Sequence, residues 1–259
     1  MLIDMSVENR IATIVINRPE AMNSIDPETR IQMYAAWARI RDDNDIHVAV
    51  ITGAGDKAFC TGADLKKTNP PRESFAEMML MENNPGNITH TFGGTDKPII
   101  AAVNGYAMGG GMELALACDI CIASENASFA LSEVRIGSIP ASGSVQRLPR
   151  SISRSDAMLM LLTGDRVSAA EAMRMGFVSR VVPQTELMPA VQAIATRIAA
   201  NAPLSVRALK RLVTQGTDMP LVHALDLDRY LWGLLRDTED RIEGRKAFAE
   251  KRPPVYKGK

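Results

Sequence analysis

The sequence predicts an α/β protein with a helical C-terminal region, and three observations carry that reading. Short β-branched apolar runs alternate with helical segments through the first two-thirds of the 259 residues, which implies right-handed crossover units and a parallel-rich sheet. Strands become scarce from about residue 153 onward. Between these parts a glycine-rich turn opens into a short helix. Taken in order, residues 11–17 read as a strand broken by Arg18-Pro19. Asp26-Pro27-Glu28 reads as an N-cap with proline at N1, leading a helix to about Asp42. Residues 48–52 and 99–103 are buried-strand runs, each ended by a Gly- or Asn-Gly-bearing turn, and residues 119–123 read as another strand. Residues 155–162, 168–175, 186–200, 203–215 and 220–235 read as helices, with Ser168 and Glu171 forming a capping box.

The chemistry is concentrated in residues 97–150. After the strand and Asn104-Gly105 come Gly109, Gly110 and Gly111, followed by Met112-Glu113-Leu114 as the start of a helix. Glycines there let a ligand approach the main chain, and the first N–H groups of a helix lack internal partners. Such a turn suits a negatively charged oxygen; glycines that merely permit close packing are the competing reading. A phosphate loop would need Gly-Lys-Ser/Thr, and a carboxylate in the first turn would repel a pyrophosphate. The turn therefore fits a neutral oxygen that becomes anionic during reaction. A second carboxylate, Glu133, follows twenty positions later.

Bulk properties exclude several classes. Lys+Arg 30 against Asp+Glu 30 gives no net field for nucleic acid or an anionic membrane surface. No apolar run approaches a membrane span, and the N-terminus lacks a basic region followed by an apolar one, so a cytoplasmic protein is expected. Three cysteines, without disulfide-like density, point to a reducing compartment. Cys118 and Cys121 form a Cys-x-x-Cys inside an apolar stretch and read as buried small hydrophobes. His47, His90 and His223 form no ligand set, so no metal is expected.

At residues 97–150 the chain resembles the enoyl-CoA hydratase/isomerase (crotonase) family: NGYAMGGGMELALACD, then FALSEVRIGSIPASGSVQRL. The likeness extends to VINRPEAMNSID at 15–26, ITGAGDKAFCTGADLKK at 51–67, LTGDRVSAAEAMRMGFVSRVVP at 162–183 and the tail from residue 239. It implies a stacked ββα spiral core, drawn at residues 1–195, and a C-terminal helical trimerisation region at 196–259. The chain would assemble as a homotrimer or a dimer of trimers, although the same helices could equally be intrachain core. Residues 68–94, rich in polar and turn-forming positions, would shape the acyl pocket or form a solvated insertion.

The resemblance also implies the site. Ala63 and Gly110 would donate main-chain N–H groups to the thioester oxygen, and Glu113 and Glu133 would be the paired carboxyl groups of a hydratase. Glu113 would activate water while Glu133 holds it and supplies the proton. Each glutamate also has a plainer reading, Glu113 as a first-turn helix residue and Glu133 as an ion pair with Arg135. Ala21, Met22, Ala58, Thr61, Gly62, Ala63, Asp64 and Leu65, with Gly109 and Gly110, would line the path of the CoA carrier. CoA is then part of the substrate, and no separate cofactor is implied. Lys246, Lys251 and Arg252 would approach its phosphates or be plain solvated surface.

Departures from the family pattern narrow the reading. Ala130 and Ser132 stand where Gly and Pro are common, and Ala141-Ser142-Gly143-Ser144 replaces Gly-Ala-Gly-Gly, adding hydroxyls beside the pocket. A polar acyl group is therefore favoured over a plain fatty chain. Asp26, residues 126–131 and residues 186–188 are weakly similar to the carnitinyl-CoA dehydratase branch. The expected activity is hydration of an enoyl-CoA thioester, with a carnitinyl-CoA dehydratase-like or isomerase reaction as the alternative. A non-catalytic acyl-CoA-binding scaffold would not need both glutamates, and an RNA-binding use of the fold would predict a basic face.

Overall fold

The computed structural model describes residues 1–67 and 95–259; the expectation for residues 68–94 falls outside them. Its main sheet has six strands in the order β1, β2, β3, β5, β7, β10. β1 (Ile3–Glu8) and β2 (Ile11–Ile16) form an antiparallel hairpin. Asn9 and Arg10 form its two-residue turn, both at positive φ (50° and 67°), which matches the strand twist of tight hairpins. β3 (Val48–Gly53), β5 (Ile99–Val103), β7 (Ile120–Ser124) and β10 (Arg180–Val182) then run parallel.

Both faces of the central strands are covered, which is why they read as continuous apolar runs instead of alternating ones. Ala49 and Ile51 of β3, with Ile99 and Ala101 of β5, face the larger core, where Met33, Trp37 and Ile40 of α1 (Pro27–Asp42) pack. Val48, Val50, Ile100 and Ala102 face the other way, onto Leu187, Val191 and Ala195 of a later helix spanning Leu187–Ala199. Position 196 lies within that helix.

A second sheet of four short strands, β4 (Ala58–Cys60), β6 (Tyr106–Met108), β8 (Ser128–Ala130) and β9 (Val167–Ser168), packs beside the first. Each of β3, β5 and β7 is followed by a strand of this small sheet, the ββα repeat that the resemblance implies. Three-residue strands carry no readable period, so the sequence does not show them. Asn104 enforces one of these switches: its side chain accepts from Gly53 N–H at 3.2 Å and donates to the carbonyls of Gly53 and Gly55 at 2.8 Å.

The helices are α1, α2 (Gly110–Ala117), α3 (Ser144–Ser151), α4 (Arg154–Thr163), α5 (Ala169–Met175), α6 (Leu187–Ala199), α7 (Pro203–Gly216), α8 (Leu221–Leu235) and α9 (Glu239–Glu250). The expected cap of α1 is present, with Asp26 Oδ1 accepting from Thr29 N–H at 2.9 Å. Only half of the expected capping box at α5 forms. Ser168 Oγ accepts from Glu171 N–H, but the Glu171 carboxylate turns to Arg174 instead of back to the cap. α8 has no buried residue, and Leu221, Tyr230, Trp232 and Leu234 are exposed on it. Among the described residues no helix is long and apolar enough to cross a membrane.

Candidate active site

Three parallel strands of the small sheet bring the site together. β4 pairs with β6 and β6 with β8, all in one direction, so the segments leaving their C-terminal ends emerge on the same side. Those segments carry Gly62 and Ala63 after β4, Gly109 and Gly110 after β6, and Ser132 and Glu133 after β8. Residues 22 to 71 positions apart in sequence thereby converge, a placement that the parallel strand register produces.

Two backbone features draw the loops close. Gly62 adopts φ +85°, and a β-carbon there would come within 2.8 Å of Gly110 N. Gly109 adopts φ 52° and ψ −123°, a region that side chains avoid, and a β-carbon there would lie 3.0 Å from Glu133 Oε1. Ile25 fixes the Ala63 loop by a two-bond bridge, donating to Gly62 O at 2.8 Å and accepting from Asp64 N–H at 3.0 Å. That leaves the N–H groups of Ala63 and Gly110 with no acceptor among the described residues, one on each side of the same gap.

A buried ionic cluster holds the loop from behind. Arg18, 4% exposed, pairs with Asp64 at 2.9 Å and Asp26 at 3.4 Å, and Lys67 reaches Asp26 at 3.0 Å. Burial of Asp26 opposes its ionisation, but the hydrogen bonds from Thr29 and Lys67 and the charge of Arg18 outweigh it and hold the carboxyl well below its usual range.

Glu113 lies in the first turn of α2 and is 4% exposed. Its Oε1 accepts from Ser142 N–H at 2.7 Å and from Ser144 Oγ at 3.0 Å, so the Ser-rich segment that departs from the family pattern fixes this carboxylate. Glu133 opens a 3-10 turn at Glu133–Ile136, and its Oε2 is buried without a hydrogen-bond partner among the described residues. Burial pushes the Glu133 carboxyl up, and the charge of Glu113 adds to that rise. The plainer reading of Glu133 fails, because Arg135 pairs with Asp165 and donates to Thr163 O.

Both glutamates, Thr61, Gly62, Ala63, Leu65, Gly109 and Gly110 line one cavity of about 360 Å³. Four sequence-expected residues are elsewhere. Ala58 is buried in β4, where its carbonyl accepts from Asn23 at 2.7 Å. The Asp64 side chain is engaged by Arg18, Met22 turns the chain at φ 55° and accepts from Thr61 Oγ1 at 3.2 Å, and Ala21 sits in the 3-10 turn before it. Arg252 is committed to Glu243 and Glu250 within the chain, while Lys246 lies 4.0 Å from Glu250. Arg30, Met108, Ile136 and Ile139 also line the cavity and have no local sequence signal that marks them for it. Which face of α1 or of a 3-10 turn meets a cavity depends on tertiary packing.

Cys60 and Cys121 are buried free thiols whose titration is pushed up to about 12 by burial, so they behave as small hydrophobes. No group of three or more metal-ligating side chains occurs among the described residues.

Comparison with known proteins identifies the family and the fold. The enoyl-CoA hydratase/isomerase family model matches residues 6–259. The chain is 51% identical, over 100% of both chains, to (E)-benzylidenesuccinyl-CoA hydratase of Thauera aromatica. It is 43% identical to carnitinyl-CoA dehydratase of Salmonella typhi, covering 96% of this chain and 95% of that protein. The crystal structure of enoyl-CoA hydratase from Bacillus anthracis superposes with a TM-score of 0.92 at 36% identity, with 100% of each chain covered. Fold, motif and full-length likeness agree: this chain belongs to the enoyl-CoA hydratase/isomerase family of enzymes.

Proposed function

We propose that the protein adds water reversibly across the 2,3 double bond of an enoyl-CoA thioester to give a 3-hydroxyacyl-CoA. One observation carries the reading: two carboxyl groups and two main-chain N–H groups without an acceptor among the described residues line the same cavity. In this mechanism Glu113, held by Ser142 and Ser144, takes a proton from water as its oxygen bonds to C3. The electrons of the double bond move through C2 to the thioester oxygen, which the N–H groups of Ala63 and Gly110 stabilise as an enolate. Glu133, whose burial favours its protonated form, delivers a proton to C2. Proton return from Glu113 to Glu133 resets the pair.

The relatives named for benzylidenesuccinyl-CoA and carnitinyl-CoA act on acyl groups other than plain fatty chains, and Ser142 in the cavity wall is in keeping with a polar acyl group here. The thioester is the substrate, and the reaction needs no further cofactor. The exposed apolar residues of α8 support self-association as a trimer or a dimer of trimers, and balanced charge fits a cytoplasmic enzyme. The test is loss of the conjugated thioester absorbance on adding enzyme to enoyl-CoA thioesters of varied length and polarity. Absence of hydration across the whole panel would reject the reading.

A further inference from the structure

The cavity that holds the two glutamates also reaches α1 one turn past its capped start, where Arg30 forms part of the wall beside Ile25. The Asp26 cap and Pro27 fix where α1 begins, and the burial of Thr29 and Met33 in the core fixes its rotation, so residue 30 is turned to the cavity side. Arg30 Nε is shut off from solvent and has no hydrogen-bond partner among the described residues. Among the described residues no ion pair involves its guanidinium.

That situation is unlike the other cations around the site. Arg18 is paired with Asp26 and Asp64, and Lys67 with Asp26. The Arg30 side chain is half-buried with only Nε shut off from water, and no carboxylate among the described residues pairs with it, although the cavity wall carries Glu113 and Glu133 as well as Leu65, Met108 and Ile139. A planar fork of donors in such a wall matches a carboxylate in shape and charge. The pantetheine arm keeps the CoA phosphates far from the thioester, whereas Arg30 shares one cavity with the groups that meet C2 and C3. A carboxylate on the acyl group itself is the anion that fits.

We propose that Arg30 is a specificity-determining residue that binds a second carboxylate carried by the acyl portion of the enoyl-CoA. This rests on the hydratase reading above and names the class of its substrate. The test compares enoyl-CoA thioesters whose terminal carbon, C4, C5 or C6, is a carboxylate with methyl-terminated counterparts of equal length, in wild type and Arg30→Met. The wild type should favour at least one carboxylated member. Arg30→Met should lose on the order of 10–100-fold in kcat/KM for that member, the value of a charged hydrogen bond, with the methyl-terminated substrates within about threefold. Arg30→Lys, which keeps the charge without the fork, should recover part of the loss. Equal losses on both series would overturn the proposal, since that is the signature of a role in the scaffold or toward the CoA carrier. No preference for any carboxylated substrate would overturn it too. Calorimetric binding of the saturated, unreactive acyl-CoA pairs separates the two readings. A carboxylate-dependent affinity lost in Arg30→Met, without hydration of any substrate, would reject the hydratase reading and keep the Arg30 assignment. Hydration without that affinity would do the reverse.

Discussion

Glu133→Gln tests the proposed chemistry most directly, because it keeps the shape of the side chain and removes its proton and charge. Glu133 shares the cavity with Glu113, its Oε2 has no partner, and its Oε1 lies close to the Gly109 backbone. An amide there can still hold a water but cannot protonate C2. A positioned general acid typically contributes 10²–10⁴-fold, so kcat/KM should fall by about that factor, roughly 3–5 kcal/mol of transition-state stabilisation. Stability should move the other way. Burial, then the charge of Glu113, raises the Glu133 carboxyl above its ordinary value of 4.5. A group raised in the folded state contributes stability in full below the unfolded value and loses it as pH rises through the folded one. Ionising Glu133 in the fold therefore costs stability, and that cost grows as pH rises. Glu133→Gln should raise Tm near pH 8 and leave it nearly unchanged near pH 4. The assays are loss of enoyl-thioester absorbance and thermal melts at the two pH values. A loss of activity below about tenfold, or a lower Tm at the higher pH, would refute the assignment of Glu133 as a buried proton donor.

Further outcomes follow from the same geometry. Gly109→Ala forces a side chain into φ 52°, ψ −123°, at a cost of about 1–3 kcal/mol; Tm should drop by roughly 2–4 °C per kcal/mol, and activity should fall further because the new methyl crowds Glu133 Oε1. Ser144→Ala removes one of the two hydrogen bonds to Glu113 Oε1, and steady-state kinetics should show kcat reduced on the order of tenfold or more with KM little changed. Arg18→Met leaves Asp26 buried beside a lost charge and should cost about 3 kcal/mol at neutral pH. Because the Asp26 carboxyl is depressed in the fold, its stabilisation is present above its ordinary value of 3.8 and lost as pH falls. The Arg18→Met penalty measured by denaturant melts should accordingly shrink in acid.

Much of this protein was legible from residue order. The cap at Asp26, the strand runs of β3 and β5 and the helices from α6 to α8 rest on local rules of capping, chain stiffness and apolar period. Those rules act between near neighbours, so a single sequence records them. Ala63, Gly110, Glu113 and Glu133 were reachable through the motif likeness, and their convergence was an expectation only.

Tertiary structure decided the rest. β4, β6 and β8 are three residues each, too short for a period, yet their parallel register is what delivers three distant loops to one edge. β1 is defined by its antiparallel pairing with β2 across the turn at Asn9 and Arg10, not by a local period of its own. Ser144 as a partner of Glu113, Arg18 as the tether behind Ala63, and Arg30 in the cavity wall all depend on which helix face meets which loop. Local sequence determines that a helix forms and where it starts. The packing of one element on another determines what its side chains touch, and that long-range choice has no signature in the neighbouring residues.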